Sequence, residues 1–157
     1  ESLINTLPDS ALPPNTEKLL KLIQNEDRND REQYAKMASR YEYKACGLNI
    51  SEESLNEYYG SEDNMAEIYT STLIEYYYTN HGFFFEEGQL LRDVHKIQNI
   101  PTVIINGRYD MVCPPVTAFI LHKNFPLSRL IIAEEAEHLI SEKPIEKELL
   151  KAMREIE

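Results

Sequence analysis

Residues 101–115 of the chain read PTVIINGRYDMVCPP, and they give the clearest indication of the fold. Its first part is a β-branched run that predicts a buried strand over 102–106. A second β-branched run predicts a strand over 129–133, and a helix is predicted between them, over about 115–124. Strand, helix and strand in this order make a βαβ unit, whose two strands are expected to lie parallel.

Two residues that follow these predicted strands could carry chemistry. Asp110 comes directly after the first strand, and His138 follows the second strand. Loops gather at the carboxyl ends of parallel strands, where an acid can accept the Nδ1 proton of a histidine. The other histidines, His81, His95 and His122, lack a position after a strand. A turn aspartate and a surface histidine are the ordinary alternatives, and position alone leaves them open.

Composition excludes several classes of function. The chain has 157 residues, with 16 basic and 27 acidic side chains and a net charge of −11. This charge argues against binding to nucleic acid or to an anionic membrane. No apolar run approaches the roughly 20 residues that span a bilayer. The two cysteines, Cys46 and Cys113, are too few for a disulfide framework, so we expect reduced thiols and a cytoplasmic location.

Residues 16–80 predict helices and no strand. The first fifteen residues contain three prolines and predict a loop. Apolar spacing and capping residues then predict four helices, over about 16–26, 30–45, 49–59 and 61–79, with Thr16 and Asn49 as N-caps of the first and third. The composition changes at Gly82, where an aromatic run has an extended character.

Two parallel strands do not make a stable sheet by themselves. They would leave bare edges and uncovered apolar faces. The sequence therefore predicts missing neighbours for the sheet, which are either earlier residues of the same polypeptide or another chain.

The block Gly-Arg-Tyr-Asp-x-Val-Cys-Pro over 107–114, preceded by LLRDVHKI over 90–97, resembles the proline iminopeptidase family of α/β-hydrolases. The resemblance implies an α/β fold, namely the C-terminal part of an α/β-hydrolase with an all-helical cap domain. The cap would cover residues 1–84, and the hydrolase portion would cover residues 85–157.

The resemblance also assigns roles at the active site. Triad members of this fold occur in the order nucleophile, acid, histidine, so Asp110 and His138 are the implied acid and base. Cys113 would lie near the site without being the nucleophile. Because the chain contains no Gly-x-Ser-x-Gly segment, we expect the serine to lie outside it and the chain alone to be inactive.

Two cap glutamates are implied to bind the substrate's ammonium group. Residues 35–42 (AKMASRYE) resemble the first glutamate segment of the family, with Tyr41 in place of a tryptophan. Residues 73–84 resemble the second segment. A buried ammonium needs paired carboxylates, which fits Glu42 and Glu75 as its ligands. Most helical glutamates are solvated, so a surface role is the alternative.

One position departs from the family pattern. The usual Asp-x-Gly-His is replaced by Glu135-Ala136-Glu137-His138. If the backbone needs a positive φ at Glu137, the glutamate would add roughly 1–2 kcal/mol of strain. Arg108 is expected to hold a loop or to pair with a carboxylate.

The implied activity is that of a serine exopeptidase that releases N-terminal proline from peptides by acyl transfer. No metal and no organic cofactor are implied. Two alternatives stay open. One is another α/β-hydrolase such as an esterase, which would lack paired cap carboxylates facing the site. The other is a non-catalytic module that binds a partner through its exposed sheet edge.

Overall fold

The computed structural model describes residues 15–47 and 49–156, so the loop predicted for the first fifteen residues lies almost wholly outside them. The described residues form two compact units. We call them the helical unit, with residues 15–44 and 50–85, and the sheet unit, with residues 45–47, 49 and 86–156.

The helical unit contains four α-helices and one 3-10 turn among its described residues. These elements are α1 (Thr16–Ile23), α2 (Arg28–Ala45), α3 (Glu52–Gly60), α4 (Met65–Asn80) and the turn Gly82–Phe84. The last residue of α2 is grouped with the sheet unit. The four predicted helices are therefore present, and their ends differ from the predicted ends by a few residues.

The N-caps of α1 and α3 are Asn15 and Ser51, and the predictions of Thr16 and Asn49 are wrong. In each cap a side-chain oxygen accepts a hydrogen bond from a backbone N–H of the first turn, at 3.1 and 3.0 Å. Thr16 already lies inside α1, where its hydroxyl donates to the side chain of Asn80 on α4. Thr16, which was predicted to cap α1, therefore joins α1 to α4 instead.

Packing of the helical unit rests on two apolar clusters. The larger cluster joins α1, α2 and α4, and the smaller one joins α3 and α4. The buried members are Leu19, Leu20, Ile23, Ala35, Ala38 and Tyr76 in the first cluster, and Leu55, Tyr59 and Ile68 in the second. Helix α4 contributes to both clusters, so it is the element that connects the helices of this unit.

The aromatic run after α4 is a left-handed turn over most of its length, where the sequence suggested extended backbone. The φ angles of Gly82, Phe83 and Phe84 are 57°, 52° and 59°. Left-handed backbone costs an L residue about 1–2 kcal/mol. The Phe84 ring lies against the rings of Tyr78 and His81, with centroids 5.2 and 5.5 Å away. These ring contacts help to offset the strain.

The sheet unit contains the predicted βαβ arrangement. Its elements are α5 (Gln89–Asp93), a 3-10 turn (Val94–Lys96), β1 (Thr102–Gly107), α6 (Pro115–Lys123), β2 (Ser128–Ala133) and α7 (Lys143–Ile156). Strands β1 and β2 pair in parallel, with Thr102 opposite Ser128 and Gly107 opposite Ala133. Both α6 and α7 contact both strands. The parallel pairing places the ends of the two strands side by side.

The sheet is only partly covered. Its packed core contains Ala133, Ala136 and Ile145, with Ile105 against them. Most other strand residues are half-buried, although their apolar sequence is typical of strands covered on both faces. Within the described residues the sheet has two strands.

The helices of the described residues include none that could cross a membrane, by length and apolarity taken together. The longest, α2, has 18 residues and carries charged side chains along its whole length.

Candidate active site

Asp110 and His138 meet at the carboxyl end of the two-stranded sheet. His138 Nδ1 lies 3.0 Å from Asp110 Oδ2, although 28 residues separate them in sequence. Asp110 follows β1 and His138 follows β2, so the parallel register of the strands brings their loops to one edge. With Nδ1 engaged by the acid, Nε2 is the imidazole nitrogen that would meet a nucleophile.

The Asp110 carboxylate is held by hydrogen bonds at both oxygens. Only 5% of the residue is exposed. Oδ1 accepts the backbone N–H groups of Val112 and Cys113, at 3.0 and 2.7 Å, and Oδ2 faces His138. A buried carboxylate is costly unless its oxygens are hydrogen-bonded, and bonds to a charged acceptor are strong. The acid is therefore fixed before any substrate arrives.

Backbone hydrogen bonds hold the two loops together. The N–H of Tyr109 donates to the carbonyl of Ala136 at 2.9 Å, which joins the acid loop to the histidine loop. The N–H of His138 donates to the carbonyl of Cys46 at 3.1 Å, just after the end of α2. The position of the histidine thus depends on three separate segments of the sheet unit.

The side chain of Asn106, at the end of β1, fastens the acid loop from within. Its Nδ2 donates to the carbonyls of Gly107 and Cys113, at 3.1 and 3.2 Å. These bonds close the loop around Asp110. The sequence showed Asn106 only as half of an Asn-Gly strand end, and a polar residue closing an apolar strand is the signal that could have identified it.

Gly107 is required because the histidine loop passes directly over it. A Cβ at this position would lie 1.9 Å from the carbonyl oxygen of Glu137 and 2.6 Å from that of Ala136. Among the described residues other than glycine, positive φ occurs at Phe83, Phe84 and Glu135, so the strain considered for Glu137 is absent and falls at Glu135 instead, with φ 58°.

Cys113 and Arg108 support the site without meeting the imidazole in any described hydrogen bond. Cys113 is an exposed free thiol whose backbone groups engage Asp110 and Asn106. Arg108 makes a two-pronged ion pair with Glu134, with Nε 2.8 Å from Oε2, and the guanidinium lowers the pKa of that carboxyl. Arg108 therefore pairs with a carboxylate, as the sequence suggested.

An open cavity of about 410 Å³ adjoins the acid–histidine pair. Polar groups and aliphatic side chains share its lining. The lining includes Asn106, Asp110, Cys113 and His138 on the polar side, and Val103, Ile105, Ile140, Ile145 and Leu149 on the apolar side. A mixed lining of this kind is typical of sites that bind small organic groups.

A second group of functional candidates lies in the helical unit, where Glu42 of α2 meets Glu75 and Tyr76 of α4. The Tyr76 hydroxyl donates a 2.5 Å hydrogen bond to Glu42 Oε1. The Glu75 carboxyl lies close enough to share a hydrogen bond with Glu42 and to act on it by charge. The structure therefore brings together the two glutamates that the sequence singled out.

The environment raises the pKa of Glu42 to about 7. Burial is the main cause, because it disfavours the charged form, and Glu75 adds to the rise. The hydrogen bond from Tyr76 acts in the opposite direction and favours the carboxylate. Burial and the Glu42 carboxyl together raise the pKa of Tyr76 above its ordinary value.

Tyr41 lies close to Tyr76. It is 40% exposed and close enough to add to the rise in the pKa of Tyr76. The sequence alone did not identify the bond from Tyr76 to Glu42. The position of Tyr76 one helical turn after the buried Thr72 is the signal that it faces inward.

Within the described residues, no group of three or more His, Cys, Asp and Glu side chains is placed to hold a metal ion.

Comparisons with known proteins find similarity to proline iminopeptidases. A proline iminopeptidase of Xanthomonas citri is 33% identical over 138 residues, which cover 88% of this chain and 43% of that protein. A probable proline iminopeptidase of Leptolyngbya boryana is 46% identical over 77 residues, covering 49% of this chain and 24% of that protein. No protein-family model matches the chain. The chain spans less than half the length of these relatives.

A solved structure shows the same fold. It is that of a serine hydrolase involved in carbazole degradation, the CarC enzyme, with a TM-score of 0.52 and 19% sequence identity. The match covers 76% of this chain and 46% of that one. The resemblance to the C-terminal half of the proline iminopeptidase family is therefore confirmed, and the fold is that of the C-terminal part of an α/β-hydrolase.

Proposed function

We propose that the chain supplies the acid, the base and the amine-binding carboxylates of a serine exopeptidase that releases proline from peptide N-termini. The observation that carries this proposal is the 3.0 Å contact between His138 Nδ1 and the buried Asp110 Oδ2. It lies at the carboxyl ends of two adjacent parallel strands. The similarity to proline iminopeptidases supports the reaction class. No metal or organic cofactor takes part in the proposed reaction.

Each member of the pair has a defined task in this proposal. His138 Nε2 removes the proton of the attacking serine and later gives it to the leaving amine, and water then releases the acyl group by the same route. Asp110 keeps the other proton on Nδ1 and stabilises the imidazolium. The bonds from Val112 and Cys113 to Oδ1 hold the carboxylate in the orientation that this task needs.

The helical unit acts as the cap and selects the substrate. Glu42 and Glu75 bind the secondary ammonium of an N-terminal proline, and Tyr41 lies close to Tyr76, which bonds to Glu42. A cation between the two carboxyls would favour the ionised form of Glu42. The pKa of Glu42 is raised mainly by burial and in addition by Glu75, which supports a role for a cation at this place. The substrates are therefore peptides with a free N-terminal proline.

The serine and the oxyanion hole lie outside this chain in our proposal. They belong to a further segment of the same polypeptide or to another chain, which also pairs with the sheet beyond β1 and β2. The chain alone is then inactive. Cys46 and Cys113 form no disulfide among the described residues, which fits a cytoplasmic place of action.

The proposal is tested with the protein that includes the serine-bearing segment and with the 157-residue chain. Proline 4-nitroanilide and 4-nitrophenyl acetate serve as the two substrates. We expect the complete protein to cleave the prolyl anilide and the isolated chain to cleave neither. A complete protein that cleaves only the ester would identify an esterase, and one that cleaves neither would favour a binding module.

Cys113→Ala is the matched control for the isolated chain. Turnover by the isolated chain that disappears in this variant would overturn the serine mechanism and would make the cysteine the nucleophile. Retained inactivity of both forms agrees with the proposal.

A further inference from the structure

We propose that Tyr76 is the positioning residue of the amine-binding pair, because its hydroxyl donates a hydrogen bond to Glu42 and holds that carboxyl next to Glu75. This inference rests on the proposed function for the identity of the bound group. The positional role itself can be tested without it.

The Tyr76 ring is anchored in the core of the helical unit. It is 7% exposed and packs in one cluster with apolar residues of α1 and α2. A tyrosine ring has only two side-chain torsions, so a packed ring holds its hydroxyl at a defined point. The 2.5 Å hydrogen bond to Glu42 Oε1 therefore fixes a flexible glutamate to a rigid element.

Glu75 and Tyr76 are neighbours on α4 and point in different directions. Tyr76 faces inward and Glu75 is exposed, because successive helical residues point about 100° apart. Glu42 meets both of them from α2. Glu42 therefore meets a buried hydrogen-bond donor, Tyr76, and a solvent-exposed carboxyl, Glu75, on the same turn of α4.

The titratable groups around Glu42 come from three helices. Glu75 and Tyr76 face it from α4, and Tyr59 of α3 lies close enough for Glu42 to raise the pKa of its hydroxyl. Tyr41, on the same helix as Glu42, adds to the rise in the pKa of Tyr76. Burial and Glu75 favour the protonated form of Glu42, and the Tyr76 hydrogen bond favours the ionised form.

Loss of the Tyr76 hydroxyl therefore has a predictable direction. The pKa of Glu42 would rise above about 7, and the side chain would be neutral at neutral pH. A neutral carboxyl attracts an ammonium less strongly than a carboxylate does. The site would then need a more alkaline solution to bind an amine.

The experiment measures the Glu42 titration midpoint by carbon NMR in the chain labelled at glutamate carboxyl carbons. Tyr76→Phe keeps the buried ring and removes only the hydroxyl. We expect the midpoint to rise by about one to two pH units, which is the equivalent of one charge-assisted hydrogen bond. Tyr59→Phe is the matched control, because its buried hydroxyl bonds to Ser39 and not to a carboxyl. An unmoved midpoint in Tyr76→Phe would overturn the inference.

A second arm measures the binding of L-prolinamide at pH 6 to 9. We expect Tyr76→Phe to weaken binding at pH 7 on the order of tenfold and to recover it at higher pH. If the unmodified chain binds no prolinamide at any pH, the proposed function fails, and the NMR midpoint still decides the role of Tyr76.

A wild-type measurement covers the case in which Tyr76→Phe does not fold. The ring carbon that bears the Tyr76 hydroxyl should shift with the same midpoint as the Glu42 carboxyl. A ring carbon that does not follow this titration would refute the hydrogen bond and the positioning role together.

Discussion

Replacement of Gly107 by alanine should break the hydrogen bond between Asp110 and His138, although neither of these residues is changed. The added Cβ would lie 1.9 Å from the Glu137 carbonyl oxygen, and real Cβ contacts are essentially never shorter than 3.0 Å. The obstacle is backbone, so no side-chain rotation can relieve it. The histidine loop must therefore move by about 1.1 Å or more.

This displacement is enough to break the site. His138 is the next residue after Glu137, and its bond to Asp110 is 3.0 Å long. An added separation of this size takes the pair beyond hydrogen-bond range. Overpacking of this kind costs about 1–3 kcal/mol of stability, and a 1 Å misplacement of a catalytic group costs about a hundredfold in rate.

Two assays check the result. They are urea denaturation followed by circular dichroism and, under the proposed function, kcat of the protein that includes the serine-bearing segment on proline 4-nitroanilide. Gly60→Ala is the matched control, because its Cβ would meet nothing within 4 Å. Alanine is the better helix former, so this control should keep the activity and gain up to about 1 kcal/mol. A Gly107→Ala protein with unchanged stability and kcat would refute the close approach of the two loops.

Three further outcomes are expected. Asp110→Asn should lower kcat of the complete enzyme by about 10⁴-fold, because the imidazole of His138 would rest in the wrong tautomer; a fall below tenfold would contradict its role as the acid. Glu42→Gln should reduce kcat/KM for the prolyl anilide about ten- to a hundredfold and leave 4-nitrophenyl acetate unaffected, whereas an equal loss on both would mean that it only supports the cap. Because the pKa of Glu42 is raised from 4.5 to about 7 on folding, its stabilising contribution is complete below pH 4.5 and is lost as the pH rises through about 7. Glu42→Gln should remove this loss, on the order of 1–3 kcal/mol between denaturation curves at pH 4 and pH 8, and a variant with the same pH dependence as the wild type would contradict the burial of this carboxyl.

Local patterns in the sequence were sufficient for the elements and for the chain order of the acid and the histidine. The β-branched runs predicted β1 and β2 to within one residue, because strand patterning and turn residues act over short distances. Positions after two strands of one βαβ unit also predicted that Asp110 and His138 would approach each other. Parallel pairing makes this approach a consequence of the strand positions themselves.

Contacts between distant segments were decided only by the tertiary structure. The bond from Tyr76 to Glu42 joins residues 34 apart, and no local pattern specifies that these two side chains meet. The closeness of Gly107 to the Glu137 carbonyl was equally hidden, because glycine in an Asn-Gly pair also suits an ordinary turn. The N-cap of α1 differs from the prediction for the same reason. The Thr16 hydroxyl bonds to Asn80 on α4, and Asn15 is the residue that caps α1. Local periodicity decides which face of an element is apolar, and the packing of those faces then decides which polar groups meet.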